Sequence, residues 1–122
     1  MANDFKRFTQ PSVNTSTGAS ATAVYTVPAG AGSSALESII IGITLANKTA
    51  SGVTASVFLD NYDGSNDVYI VKDATIPAGS SLEVMSGNKI VAMNNGTTGD
   101  VIRVSSGTAT AIDATVTVLE DV

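Results

Sequence analysis

A chain of 122 residues has the length of one domain, and at this size folding removes about two-thirds of the unfolded chain's surface from water, enough for a core without metal or disulfide staples. Cysteine and histidine are both absent, which excludes disulfides, thiol nucleophiles, the usual zinc and iron-sulfur sites and every Ser-His-Asp or Cys-His arrangement. Six basic residues against eleven acidic ones leave a net charge of −5, so neither nucleic acid nor an anionic membrane is an expected partner.

Residues 1–20 read as an extended arm ahead of a domain over 21–122. Met1 to Arg7 lacks the apolar centre of a secretory signal, so synthesis in a cytoplasm is expected. From Pro11 the segment is a Ser/Thr/Asn/Gly series with neither helical nor strand period. Two of the three phenylalanines, Phe5 and Phe8, flank the basic pair Lys6-Arg7 here. Aromatics would be wasted in a solvated tail, so Phe5, Lys6, Arg7 and Phe8 form the expected partner-binding set, docked on this domain or a neighbour. An arm of this length reaches up to ~65 Å, and removing residues 1–10 is expected to weaken assembly while leaving the fold intact.

From Ala21 onward Val, Ile and Thr dominate, residues whose stiff side chains suit a pleated surface. Eight short strands are predicted. The first, Thr22 to Val27, ends at Pro28. The second, Leu36 to Asn47, places Ile39, Ile41, Ile43 and Leu45 on one face by period two. Its apolar run stops at Gly42, well short of the ~18 residues of a membrane span. Val53 to Leu59, Val68 to Lys72, Ser81 to Met85 and Lys89 to Met93 follow. Asp100 to Ser105 turns Ile102 and Val104 inward, and Ala111 to Leu119 does the same with Ile112, Ala114, Val116 and Val118. Ser34-x-x-Glu37 and Ser80-x-x-Glu83 match helix capping boxes, but the β-branched, glycine-interrupted residues after the first and the early Gly87 after the second are poor helix interiors.

A repeat organises these strands. Val24-Tyr25-Thr26-Val27 is echoed by Val68-Tyr69-Ile70-Val71, and Pro28-Ala29-Gly30 by Pro77-Ala78-Gly79. Ser33-Ser34 through Leu36-Glu37 is answered by Ser80-Ser81-Leu82-Glu83, while Ile43/Ile90, Asn47/Asn94, Gly52/Gly99 and Val57/Val104 each stand 47 apart. Two related halves without intervening helices predict an all-β fold, an antiparallel, jelly-roll-like β-sandwich of about eight strands.

No catalytic constellation emerges, and no enzyme activity or cofactor is expected. The acidic run from Asp60 to Asp67 supplies oxygen ligands, yet in an EF-hand register its twelfth position is Val71 where a bidentate glutamate belongs. A connector turning at Asp63-Gly64 accounts for it, and no metal is assigned. Glu37, Glu83, Asp100, Asp113 and Glu120 could in principle pair as in glycosidases, but tryptophan is absent and no aromatic platform accompanies them. Gly30 and Gly32 lack the helix N-terminus of a phosphate loop. A carbohydrate-binding module is the alternative function, with Tyr25, Tyr62 and Tyr69 as the candidate platform.

The runs Val27-Pro28-Ala29-Gly30, Ile39 to Ile43 with Ala46-Asn47, Tyr69 to Ala74, Ile76 to Val84 and the closing Val116 to Glu120, with the opening Phe5-Lys6-Arg7-Phe8, resemble small virion structural proteins of tailed bacteriophages, those of marine cyanophages above all. The resemblance implies a non-enzymatic capsid decoration or other accessory subunit, present in many copies on head, neck or tail. Its implied partners are other virion proteins and copies of itself, as a homo-oligomer such as a trimer.

Overall fold

The computed structural model of the chain describes residues 3–62, 67–85, 87 and 89–121. Among them run nine strands: β1 (Asn3–Gln10), β2 (Thr22–Thr26), β3 (Leu36–Asn47), β4 (Val53–Asp60), β5 (Asp67–Ile76), β6 (Ser81–Glu83), β7 (Ile90–Asn94), β8 (Val101–Ser106) and β9 (Ile112–Asp121). One 3-10 turn, Gly18–Ser20, precedes β2. Every strand pairing is antiparallel. One sheet has the order β1-β9-β3-β6, with β7 also on β3, and the other the order β2-β8-β4-β5. Both contribute to one apolar core, including Ile40, Ile43, Leu45 and Val116 from the first and Val57, Ile102 and Val104 from the second. This is the antiparallel two-sheet architecture expected of a β-sandwich.

The first departure from expectation is β1. Residues 3–10, read as part of an extended arm, pair along their whole length with β9, from Asn3↔Asp121 to Gln10↔Ala114. Beyond Pro11, Val13 is buried and bonds to the Ile112 carbonyl at 2.9 Å. Phe8 and Val13 give this segment apolar surface to bury, and the polar series between Asn14 and Ser20 is a connection, not a tail.

A second departure lies in β3. Its pairing with β9 slips between Ile40 and Gly42, so Ile41 is the extra residue of a β-bulge. Because side chains alternate with period two, one inserted residue reverses the faces. Leu36, Ser38 and Ile40 point inward before the bulge and Ile43, Leu45 and Asn47 after it. Ile39, expected on one face with Ile43, lies on the opposite face and is 39% exposed. In β8 and β9 no slip intervenes, and Ile102, Val104, Ile112, Ala114, Val116 and Val118 are buried as their alternation predicts. Ser34 and Glu37 start no helix: Ser34 closes a bridge to Gly30 and Glu37 lies in β3.

The register shows how the repeated sequences correspond in space. Val57 and Val104 stand directly opposite each other on β4 and β8. On either side, β2 pairs with β8 as β5 pairs with β4. Thr22↔Val104, Tyr25↔Ile102 and Thr26↔Val101 match Val71↔Val57, Ala74↔Ala55 and Thr75↔Thr54, with a register slip at the corresponding place in each pair. Tyr25 therefore corresponds to Ala74 and not to Tyr69. The Pro-Ala-Gly turns mark the true alignment, and the Val-Tyr-x-Val echo is displaced from it. β5 runs on to Ile76, past the expected end at Lys72, because Asp73 takes the bulge at φ 51 and the Ser56 hydroxyl accepts its N–H at 2.9 Å.

Each half holds the other by an asparagine. Asn47 donates to the carbonyl of Ile76, ahead of Pro77, at 2.9 Å, and its Oδ1 accepts the Thr49 N–H at 2.9 Å. Asn94 donates to the carbonyl of Val27, ahead of Pro28, at 2.8 Å, and its Oδ1 accepts the Gly96 N–H at 2.7 Å. A carbonyl at the end of a strand, followed by proline, has lost its ladder partner, and a buried amide side chain supplies the missing donor. Gly99 lies against the same Val27 carbonyl, whereas its counterpart Gly52 meets nothing nearer than 3.6 Å.

Two outcomes are expected in denaturant titrations. Asn94→Ala leaves the Val27 carbonyl and the Gly96 amide without partners and costs about 3 kcal/mol. Gly99→Ala forces a methyl group into the Val27 carbonyl and costs more than Gly52→Ala, which has room. Equal effects at the two glycines would refute the asymmetric close approach.

Candidate docking surface

Pairing β1 with β9 separates the four residues Phe5, Lys6, Arg7 and Phe8 into two sets. Lys6 and Phe8 share the alternation phase of their partners Val118 and Val116, which are buried. Phe8 packs against the core, its ring centroid 4.6 Å from that of Tyr25 at an interplanar angle of 38°. Lys6 Nζ lies 2.9 Å from Oε1 of Glu120, a carboxylate only 1% exposed. These two residues thus brace the β1 edge from its inner side.

Glu120 heads a short polar chain under that edge. The Tyr25 hydroxyl donates to its Oε2 at 2.7 Å. With that proton committed, the Ser38 hydroxyl, also 2.7 Å away, donates to the Tyr25 oxygen. Burial is the main force pushing the Tyr25 phenol upward from its ordinary pKa of 10.0, and the Glu120 charge pushes it further. Lys6 is raised above 10.5 by its contact with Glu120 and by that carboxylate's charge. A carboxylate removed from water is tolerable only when paired and hydrogen-bonded, so this network explains why a Glu can occupy an inward position of β9. The alternation of β9, read only to Leu119, gave no sign of it.

Phe5 and Arg7 face the other way. Phe5 is 75% exposed and stands opposite Leu119 on β9; Leu119 stands opposite Ile39 on β3, and Ile39 opposite Val91 on β7. These register partners form one apolar row across four strands on the outer face of the five-stranded sheet. Met93 lies beside it, opposite Glu37. Among the described residues the exposed large hydrophobics are six, and Phe5, Ile39, Val91 and Met93 of them lie on this face. Single exposed apolar residues are ordinary, but a contiguous row is the mark of an interaction surface. Phe5 is the only one of the row legible beforehand, since the bulge at Ile41 hides the outward phase of Ile39.

The remaining sequence candidates do not converge. Tyr25 is in the core, while Tyr69 packs at a tilt against Phe58 with ring centroids 5.3 Å apart, so the three tyrosines make no common platform. Asp60 is engaged by Arg103 at 2.8 Å, and Asp100 accepts the backbone N–H groups of Tyr62 and Met93 at 2.8 and 2.9 Å. The expected turn at Asp63-Gly64 lies outside the described residues. Among the described residues no three His, Cys, Asp or Glu side chains gather as a metal site. A shallow hollow of about 320 Å³ at the end of β1 is lined partly by Pro11 and Asp113, whose carboxylate is held by Lys48 Nζ at 2.7 Å and the Ser12 N–H at 2.9 Å. No family model matches the chain, and no curated protein or solved structure matches it.

Tyr25→Phe removes a donor to a buried carboxylate and is expected to cost about 1.5–3 kcal/mol, read by chemical denaturation. The pH dependence has a worked sign. Tyr25 and Lys6 have raised pKa values, so their contribution is full below about pH 10 and is lost as the pH rises through the raised values. Asp113 is lowered, chiefly by its bond from Lys48, so its contribution is present above its ordinary 3.8 and fades as the pH falls through the lowered value. Melting temperature should therefore form a plateau that declines at both ends, with the alkaline decline shallower in Tyr25→Phe. Deletion of residues 1–10 strands Glu120 without its cation and uncovers Tyr25, so it should lower the melting temperature as well as any assembly.

Proposed function

We propose that this chain is a non-enzymatic structural subunit of a tailed-phage particle, a capsid decoration or other accessory protein of head, neck or tail that docks on neighbouring virion proteins. The observation that carries the reading is the exposed apolar row Phe5, Leu119, Ile39 and Val91 on a broad sheet face. A β-face with an apolar stripe suits burial against another protein surface.

Three further features support the reading. The strand orders β1-β9-β3-β6 and β2-β8-β4-β5 support a jelly-roll reading of the two sheets, a fold common among capsid proteins. The two halves are clamped to each other through Asn47 and Asn94 without disulfides. The sequence likeness to small phage virion proteins covers β1, which supplies Phe5 to the row. Copies repeated over a particle add avidity to a modest contact, and self-association belongs to the same reading.

Mass spectrometry of purified particles is expected to find the chain at high copy number, and labelled antibody to place it on head, neck or tail. Its absence from particles would overturn the proposal. Phe5→Ser, which leaves the Lys6, Phe8 and Glu120 contacts in place, is expected to reduce its recovery with particles without lowering its melting temperature.

A further inference from the structure

β1 is an edge strand. Among the described residues it pairs only with β9, so every second residue turns its backbone N–H and C=O away from the sheet with no strand to receive them. The other edges are short or broken. β6 has three residues, and β7 and β2 have five each, with a slip in the β2 register between Ala23 and Tyr25. β5 is interrupted by slips against β4 and by Asp73 at φ 51. β1 runs for eight residues without a slip, the kind of edge that invites another strand. What it carries is charge. Asp4 and Lys6 share the inward phase, and both are exposed, Lys6 over 43% of its side chain. The Lys6 ammonium has three N–H donors, and Glu120 beneath it is its one ion-pair partner among the described residues. Asp4 has none among them.

An inward lysine on an open edge discourages an arbitrary strand from adding, but β1 of a second copy answers it. Two identical strands meet antiparallel about a two-fold axis normal to the sheet, and inward side chains stay inward only if that axis passes through a residue of β1. An axis at Asp4, Lys6 or Arg7 sets a like charge on itself, which destabilises a cross-strand pair. An axis at Phe8 sets Lys6 opposite Gln10 and Arg7 opposite Thr9, with no opposite charges meeting. An axis at Phe5 sets Asp4 of each copy opposite Lys6 of the other, and Arg7 opposite position 3, an uncharged asparagine. It also sets Phe5, 75% exposed, against its own copy as a cross-strand aromatic pair. Phe5 ends the row Phe5-Leu119-Ile39-Val91, so the same register joins two rows into one. We infer that the free edge of β1 is a self-association site, on which β1 of a second copy adds antiparallel about a two-fold axis at Phe5, continuing the sheet from one molecule to the next. The inference rests on the self-association included in the proposed function and names the strand that mediates it.

Sedimentation of the full chain over a range of concentrations is expected to show a species of twice the 12.3 kDa monomer mass. Asp4→Lys sets lysine opposite lysine at both symmetric places and should weaken the pair about tenfold. The register is read by cross-linking, because the chain has no cysteine of its own. Under mild oxidation Phe5→Cys places two thiols directly opposite each other, within disulfide reach, and is expected to give a covalent dimer. Arg7→Cys, on the same face, stands four residues out of register with its own copy, more than ~10 Å away, and should stay monomeric on a non-reducing gel. Both variants leave Lys6, Phe8 and Glu120 in place, and cooperative thermal unfolding checks that each is folded. A chain that remains at 12.3 kDa at every concentration, or Arg7→Cys linking as readily as Phe5→Cys, overturns the inference. A monomer still recovered in particles assigns the edge to a different virion protein, which also overturns self-pairing and leaves the functional proposal standing. A Phe5-linked pair from a chain absent from particles supports self-pairing and overturns the functional proposal.

Discussion

A single buried carboxylate organises one whole edge of this protein. Glu120 lies at an inward position near the end of β9, where an unpaired charge would be prohibitive. It is made tolerable by Lys6 on one oxygen and by the Tyr25 hydroxyl, backed by Ser38, on the other. Meeting that need sets the phase of β1: with Lys6 turned in, Phe8 also turns in and covers Tyr25, and Phe5 and Arg7 must turn out. The apolar row on the outer face is thus a consequence of how a charge is accommodated underneath it. β1 also hides the β9 edge, which would otherwise present unpaired backbone groups.

The same logic of unsatisfied groups governs the duplicated body. Proline stops each of two strands and leaves a carbonyl with no ladder partner, and in each case an asparagine of the other half donates to it. The clamps are reciprocal, so neither half completes its own hydrogen bonding alone. Asymmetry enters where the halves carry different loads. Gly99 is pressed against the Val27 carbonyl while Gly52 has space, and one long strand in the first half, β3, is answered by two short ones, β6 and β7, in the second.

Particular residues show how far the sequence could be read. The unbroken alternation of β9 and β8 placed Ile112 through Val118 and Ile102 with Val104 correctly, because nothing interrupts the period. The paired capping boxes were rightly rejected as helices, since β-branched runs and early glycines follow them. Ile39 was misplaced because a bulge at Ile41 leaves no mark on the hydrophobic pattern: Ile39, Ile40 and Ile41 are chemically the same, and only the partner strand decides which is extra. Tyr25 and Tyr69 were matched by their neighbours in sequence, yet register pairs Tyr25's position with Ala74. The set Phe5 to Phe8 was picked out by composition, and its division into supports and surface needed the position of β9.

What the sequence determined by itself was local and periodic: an all-β chain, the ends of its strands at proline and glycine, the presence of a duplication and the lack of thiol and imidazole chemistry. Those follow from side-chain shape and spacing, which act over a few residues. The tertiary structure decided which strand lies beside which, that residues 3–10 belong to a sheet, where the bulge reverses β3, and that Phe5, Leu119, Ile39 and Val91 share one surface. These residues are distant along the chain, and their meeting is set by register and by the pairing of buried polar groups, constraints that exist only once separate strands are brought together.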